Sequence, residues 1–577
     1  MKTPFTRSLR LSVSCFFVVL PLLLGLPGMH GQTNTQALDP GPRNPGTTPF
    51  GTNHCPNGGP SKFSPNCVDF AQPPSQPPQP PADGAGNLIG QFTNPNGITF
   101  ADEPLGAMWG QSIPIFQTVA SVTGSVTGEP MPGLGPSFNS NSCGSCHSQP
   151  AVGGTSPGII TINTTKGIQT FTSFLGTQFQ FSENPELVAA ADQGGTSQNP
   201  NFPSGSSFSG PGFLDVPVDG PVIEVRFVNG LAATGNAAAV QPGGVGELFT
   251  FQGRSDEPPS CSISQLNFAG VGQKSLGFRI PTPTFGLGLV ENTPELILQS
   301  NLTSELSASA SVTLGIKGTL NRSGNDGTIT RFGWKAQNKS LMIFAGEASN
   351  VEMGVTNELF PNEKSWGSGL SCIPNNQPED EILPPGFPPA VGDASVISSV
   401  AQNNAVFMRL NAAPSQCDAL LANVVNGIAT CPAFSSSAVI NGQNLFSSPS
   451  VGCNLCHTPT LTTGPSPNSS LSNQIYHPYS DFALHHMGAG DADGVNQGLA
   501  GSDQFRTAPL WGAGQRYFFL HDGRAIDLPT AIQDHCPTAS QTSTPTTPVG
   551  EACGSVKGFN ALTPTNQQDI LDFLRSL

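Results

Sequence analysis

The sequence predicts a mainly α-helical fold with many loops: two small lobes, each gathered around a Cys-x-x-Cys-His motif, plus an inserted β-hairpin-rich region. Three observations carry this expectation. The motif occurs twice, as Cys143-Gly-Ser-Cys146-His147 and Cys453-Asn-Leu-Cys456-His457. Helix signals sit near both copies: Asn292-Thr-Pro-Glu-Leu-Ile-Leu298 has a capping residue, an early Pro and an acidic first turn, and Thr563–Leu577 carries the stripe Ile570, Leu571, Phe573, Leu574 and Leu577. Between about 155 and 280, β-like stretches such as Val222–Val228 and Glu247–Phe251 alternate with turn residues, the pattern of short paired strands.

The motif has a physical reading. Two thiols three positions apart reach the vinyl groups on one edge of a porphyrin, and the adjacent imidazole is then held beneath the iron. Zinc sites normally pair two Cys-x-x-Cys units tens of residues apart, and redox dithiols sit in a βαβ context; neither pattern is seen. Cys143, Cys146, Cys453 and Cys456 therefore read as thioether attachments for two covalently bound haem c groups. His147 and His457 read as their proximal ligands, and the two lobes as cytochrome c-like.

The N-terminus agrees with this chemistry, which is completed outside the cytoplasm. Lys2, Arg7 and Arg10 precede an apolar run from Leu11 to about Leu26 that ends in small residues. This is the form of a secretory signal peptide, 1–31. Pro21 and Pro27 break the run and no second stretch of spanning length follows, so a stable membrane span is not expected. The expected location is the periplasm or the secreted fraction.

Composition points the same way. Only 10% of residues are charged, while 67 Gly and 56 Pro indicate several lobes and long loops. The formal charge is −16, and loss of the signal segment, with three cations and no acids, makes it more negative. Nucleic acid and anionic membrane surfaces are therefore unsuitable partners. Residues 32–90, which include Gln72-Pro-Pro-Ser-Gln-Pro-Pro-Gln-Pro-Pro81, read as a tether or irregular wrap. An N-terminal haem domain with the β-rich insertion follows over 91–395, and a C-terminal cytochrome c domain over 396–577.

Of 13 cysteines, Cys15 leaves with the signal and four go to haem, so eight remain for disulfides in an exported chain. Proximity suggests Cys55–Cys67, Cys417–Cys431 and Cys536–Cys553, leaving Cys261 with Cys372. Eight cysteines admit many other connectivities.

Six ordered segments surround the two motifs: Gly133–His147 itself, Gly286-Leu-Gly-Leu-Val-Glu291, Arg331-Phe-Gly-Trp-Lys-Ala336, His477-Pro-Tyr-Ser-Asp481, Phe505-Arg-Thr-Ala-Pro-Leu-Trp-Gly512 and Leu520-His-Asp-Gly-Arg524. On these segments the chain, from about 100 to 577, resembles the exported di-haem c-type oxidoreductases described as peroxidase-like. Those are related to bacterial di-haem cytochrome c peroxidases.

The resemblance implies roles for particular residues. A Trp between the haems corresponds to Trp334, and a distal acid in a Glu-Met-Gly sequence corresponds to Glu352. A carboxylate over an open iron can take a proton from one peroxide oxygen and deliver it to the other. Glu291 is the alternative acid. The Gln that accompanies the pattern is replaced, since Phe344 occupies its expected place. By analogy the sixth ligand of the second haem comes from Leu528–His535, which nominates His535, with Met487 as runner-up among His477, His485, His486 and His521. Thr507-Ala-Pro509 resembles a carbonyl site for calcium, although the Asn that would complete it is replaced by Gly286.

The implied function is an oxidoreductase. A small donor protein of cytochrome or cupredoxin type reduces the second haem, and the first reduces hydrogen peroxide or another small oxidant. An electron-transfer cytochrome with two six-coordinate haems, and a protein-modifying di-haem maturation enzyme, are the alternatives.

Overall fold

Leucine and phenylalanine of the closing segment are buried as the stripe predicts. Helix Pro564–Ser576 starts on Thr563, whose hydroxyl accepts the Asn566 N–H, and it buries Ile570, Leu571, Phe573 and Leu574. Each such side chain stabilises the fold by roughly 1.5–3 kcal/mol relative to exposure. The partner is helix Ser436–Phe446, which leads into the second motif. Gly442 permits the close crossing: a Cβ there would lie 1.9 Å from the Asp569 carbonyl oxygen. The motif itself, expected as part of a helix, is only a 3-10 turn over Cys453–Leu455. Phe446, Tyr479, Phe519, Leu528, Phe559 and Phe573 join in one hydrophobic cluster beside it.

The protein, seen as a computed structural model, is described for Ala37 and, with breaks, for residues 104–156, the strands between 159 and 250, and residues 254–261, 276–363, 372–380, 399–411 and 424–577. The expected signal peptide, all of the 32–90 tether except Ala37, and the pairs Cys55–Cys67 and Cys417–Cys431 lie outside the described residues. Cys261–Cys372 and Cys536–Cys553 are both formed. No helix among the described residues is long and apolar enough to cross a membrane.

The architecture is mainly helices and loops with small antiparallel sheets. A second hydrophobic cluster lies by the first motif and includes Phe116, Leu287, Leu341, Phe407 and Trp511. Helix Val400–Leu410 packs on both Pro104–Gln117 and Leu341–Met353. The hairpin-rich expectation for 155–280 holds in the strands. Ile159–Asn163, Ile168–Ser173 and Gln178–Ser182 form one sheet, and Val245–Gly246, Glu224–Phe227 and Leu276–Arg279 form another.

Two glycines bring the first motif to its neighbour. Helix Leu341–Met353 ends on Gly354 in the left-handed region (φ 69°), and a Cβ on Gly135 would lie 2.5 Å from the Gly354 Cα. In that close approach the Gly135 N–H donates to Met353 O at 2.9 Å, and Asn139 and Ser140 N–H groups donate to Glu352 O at 2.8 and 3.1 Å. The segment entering Cys143 is thereby laced to the helix turn that carries Glu352.

Candidate haem centres

Each motif faces its own cavity. The first encloses about 1040 Å³ and is lined by Cys143, Cys146 and His147 together with Glu224, Gln337, Phe344 and Glu352. His147 Nδ1 lies 3.0 Å from the Gly154 carbonyl oxygen. A carbonyl only accepts, so Nδ1 carries the proton and Nε2 is left as a ligand atom. Burial pushes the imidazole down to about 4, which keeps it neutral. The Cys143 thiol is pushed up to about 12, chiefly by burial, and forms no disulfide. A low-pKa redox dithiol is the opposite arrangement.

Glu352 does line this cavity, partly buried. Burial and then the neighbouring Glu224 carboxyl raise it well above the ordinary carboxylate range, and Glu224 is its hydrogen-bond partner. Asn139 Nδ2 donates to Glu352 Oε2 at 3.1 Å. Burial would raise Glu224 too, but Arg226 outweighs it and brings Glu224 down to about 2. Arg226 Nε and Nη2 donate to the two Glu224 oxygens at 2.7 and 3.3 Å. The pair therefore divides its labour: Glu224 is the anion and Glu352 holds the proton.

A glutamine stands in this cavity after all, from an unexpected position. Phe344 lines the wall, as the pattern's departure implies, while Gln337 supplies an amide whose Oε1 is buried without a hydrogen bond. Room for it comes from Gly333, which has φ of 82° and whose Cβ would lie 2.2 Å from Gln337 Oε1. Gly333→Ala is expected to evict the amide and to destabilise the chain by about 1 kcal/mol or more, since alanine is strained at positive φ. Denaturant unfolding checks it.

The second cavity encloses about 1490 Å³ and is lined by Cys453, Cys456 and His457, with His485, Met487, His521 and His535. His457 Nδ1 donates to the Tyr479 carbonyl at 2.8 Å, and Tyr479 holds that carbonyl in place with φ of 49°. Burial lowers His457 to about 4. His535 Nδ1 donates to Ala531 O at 2.6 Å, so its Nε2 is likewise left unprotonated. The His457 and His535 ring centroids are 6.5 Å apart. Two imidazoles sharing one metal at about 2.0 Å each have centroids roughly 6 Å apart.

The other candidates have occupations of their own. His485 bridges Asp481 and Glu551, both at 2.9 Å, and His486 meets Asp503 at 3.1 Å. His477 meets the Thr460 hydroxyl at 3.0 Å in an exposed place. Met487 lines the cavity directly after the strand Leu484–His486, which pairs with Gln504–Arg506, and its backbone N–H donates to Asp503 O at 2.8 Å. Glu291 is outside the lining of both cavities. Its carboxylate takes Arg409 Nε at 2.6 Å and caps Leu341 N–H at 2.8 Å, so the structure gives it a helix-anchoring role in place of the acid's.

Trp334 lines both cavities, and among the described residues it is the one common to the two linings. Its Nε1 donates to Ile280 O at 2.8 Å, and its edge meets His521 at 6.4 Å, which in turn stacks on Phe505 at 4.3 Å. Sequence reasoning reached Trp334 and Glu352 but missed Glu224, Arg226 and Gln337. The only available signal was charge in the otherwise apolar strand Glu224-Val-Arg-Phe227.

At the expected calcium position the Thr507 carbonyl accepts the Ser480 hydroxyl at 2.7 Å. No step below uses calcium.

Haem fits both cavities. Each offers two cysteines outside any disulfide, an imidazole whose Nδ1 is held by a backbone carbonyl and a mainly apolar wall, and the second also buries an arginine nitrogen, Arg516 Nη2, that has no hydrogen-bond partner. Two such centres in one chain define a di-haem redox protein. The chain belongs to the family described as "Di-haem oxidoreductase, putative peroxidase", whose model matches residues 248–577, more than half of its length. That match contains the second motif and Glu352 but not the first motif. No curated protein matches. Among solved structures the chain is similar to a Kuenenia stuttgartiensis hydrazine synthase pressurised with xenon, at 17% identity over 31% of this chain and 55% of that one, TM-score 0.19. It therefore spans about half the length of that relative. A MauG-like protein associated with microbial copper homeostasis is similar at 15% identity over 52% of this chain and 90% of that one, TM-score 0.23.

Proposed function

We propose that the protein is an exported, periplasmic c-type oxidoreductase that reduces hydrogen peroxide at the haem of Cys143 and Cys146, using electrons received at the haem of Cys453 and Cys456. The observation that carries this reading is the Glu352–Glu224 carboxyl pair in the lining of the first cavity, where burial and Glu224 push Glu352 up, with Trp334 shared with the lining of the second. Haem supplies the two electrons and the iron at which the oxygens separate. The chain supplies the proton traffic. Glu352, kept neutral, gives its proton to the departing peroxide oxygen and takes the proton of the other oxygen in return, so that two electrons and two further protons complete two waters. The Gln337 amide orients the oxidant, and Glu224 holds Glu352 in place.

In the second cavity, His457 and His535 both donate from Nδ1 to backbone carbonyls, and their ring centroids are 6.5 Å apart, which supports a six-coordinate, substrate-free electron store. Two imidazoles give a lower potential than an imidazole with Met487 would. A small cytochrome or cupredoxin is the donor in this reading.

The deciding test is the electronic and EPR spectrum of the holoprotein, ferric and half-reduced, with and without peroxide. One high-spin haem that responds to peroxide is expected; two low-spin haems indifferent to it would leave an electron-transfer cytochrome. A second expectation concerns pH. Because Glu224 raises Glu352, Glu224→Gln lowers the Glu352 pKa, so the loss of activity with rising pH should move to lower pH. A rate profile that stays in place counts against the pair.

A further inference from the structure

Most buried cations in this chain have a carboxylate against them. Arg279 and Lys335 share Asp493, Arg254 holds Glu129 and Asp256, and Arg524 holds Asp491 and Asp522. Two arginines in the wall of the second cavity differ. Arg506 and Arg516 are 5% and 6% exposed, and among the described residues neither is in an ion pair. Arg506 Nε donates to Gly333 O at 2.8 Å, and its guanidinium lies 5.7 Å from the Phe482 ring centre. Arg516 Nη2 is buried with no hydrogen bond at all.

The arrangement costs free energy as it stands. Burial pushes both groups down to about 10, and for Arg506 the charge of Arg516 adds to it. The nearest acids are committed elsewhere: Asp491 to Arg524, and Asp481 to His485. A fold that buries two mutually repelling cations without anions is ordinarily unstable. The charge balance is met if the occupant of the cavity brings two negative charges of its own. The wall that Cys453 and Cys456 share with these arginines is mostly apolar, with Phe446, Leu510, Phe519, Leu528, Ile570 and Leu574. An apolar disc with two carboxylates on one edge has that distribution of chemistry.

We propose that Arg506 and Arg516 bind the two propionate carboxylates of the haem attached at Cys453 and Cys456, and that their charge raises its reduction potential. The proposal rests on the reading above that a haem occupies this cavity. Guanidinium forks suit carboxylates, and both members are charge-assisted. Arg506 also ties this anchor to the wall between the cavities, since its backbone N–H donates to Trp334 O at 2.8 Å. Positive charge beside the iron favours the ferrous form, so losing an arginine stabilises the ferric one.

The test is a spectroelectrochemical titration of the holoprotein. In Arg516→Gln and Arg506→Gln the midpoint potential of the second haem should fall while that of the first stays put. Arg516→Lys, which keeps the charge but not the fork, should give a smaller fall and is the variant to read if the glutamine forms do not accumulate. Infrared difference spectra of protein matured with haem carrying 13C at the propionate carboxyls give a second readout. The labelled carboxylate bands should move between wild type and Arg516→Lys. Potential and bands both unmoved would overturn the proposal. Peptide mass spectrometry separates the two ideas: absence of haem on Cys453 and Cys456 sinks the underlying reading, whereas its presence with unmoved bands and potentials sinks only the arginine assignment.

Discussion

Replacing Glu352 with glutamine is expected to cut peroxide turnover by roughly 10²–10⁴-fold, the usual contribution of a positioned acid–base group. The haem content should be unchanged. Glutamine keeps the size of the side chain and can still meet Asn139, but it has no proton to exchange. Glu352 also anchors the segment entering the first motif through its backbone carbonyl, which accepts Asn139 and Ser140 N–H groups and survives the substitution, while the Asn139 Nδ2 contact can be kept by the glutamine amide oxygen. Steady-state peroxide reduction, normalised to covalent haem, checks the effect. Activity within a few-fold of wild type would move the proton traffic to another group, and Glu224 is the one in contact.

Asp493→Ala is expected to be the most damaging single change to stability. Asp493 is buried between Arg279, at 2.6 Å, and Lys335, at 3.1 Å, with no exposed route for either cation. Breaking a buried pair by removing one partner costs about 3–5 kcal/mol. Burial alone would raise the Asp493 carboxyl, but Arg279 and Lys335 outweigh it and hold it below its ordinary value. The stabilisation is therefore fully present above the ordinary carboxylate range and is lost as pH falls through it toward the lowered folded value. Denaturant midpoints of wild type and Asp493→Ala, compared at neutral and acid pH, should converge as the acid limit is approached. Parallel curves at every pH would show that the pair contributes packing, not charge.

Much of the site was legible because covalent chemistry fixes residue spacing. The two Cys-x-x-Cys-His motifs, the closing helix and the positions of Trp334 and Glu352 are local patterns, and they lie in the structure where such patterns place them. Of the disulfides, Cys261–Cys372 emerged only by elimination, yet it formed. What stayed hidden is long-range. Glu224 sits more than a hundred residues from Glu352 in the chain, on a strand from the inserted sheet, and nothing around it marks the contact. Gln337 was masked by the expectation that its role belongs at position 344. Glu291 misled because a carboxylate near a motif looks alike in sequence whether it faces a cavity or Arg409. For the sixth ligand, resemblance alone put His535 first and Met487 second among six candidates in one stretch; what sequence could not show is the His535 Nδ1–Ala531 O bond and the 6.5 Å ring separation from His457.

The shared Trp334 has a bearing on how this chain could be taken apart. Among the described residues, every other one lining the second cavity comes from the stretch Phe446–Leu574, so a boundary near 395 looks like a natural place to cut. A fragment beginning there would carry its attachment cysteines and both imidazoles. It would also lack the indole that closes one side, and Arg506 would lose the Gly333 and Trp334 carbonyls that it and its backbone hold. The piece that resembles a free-standing cytochrome is thus finished by a side chain from the other half. Gene fusions or shuffled relatives that treat the two halves as interchangeable modules would inherit a breached wall.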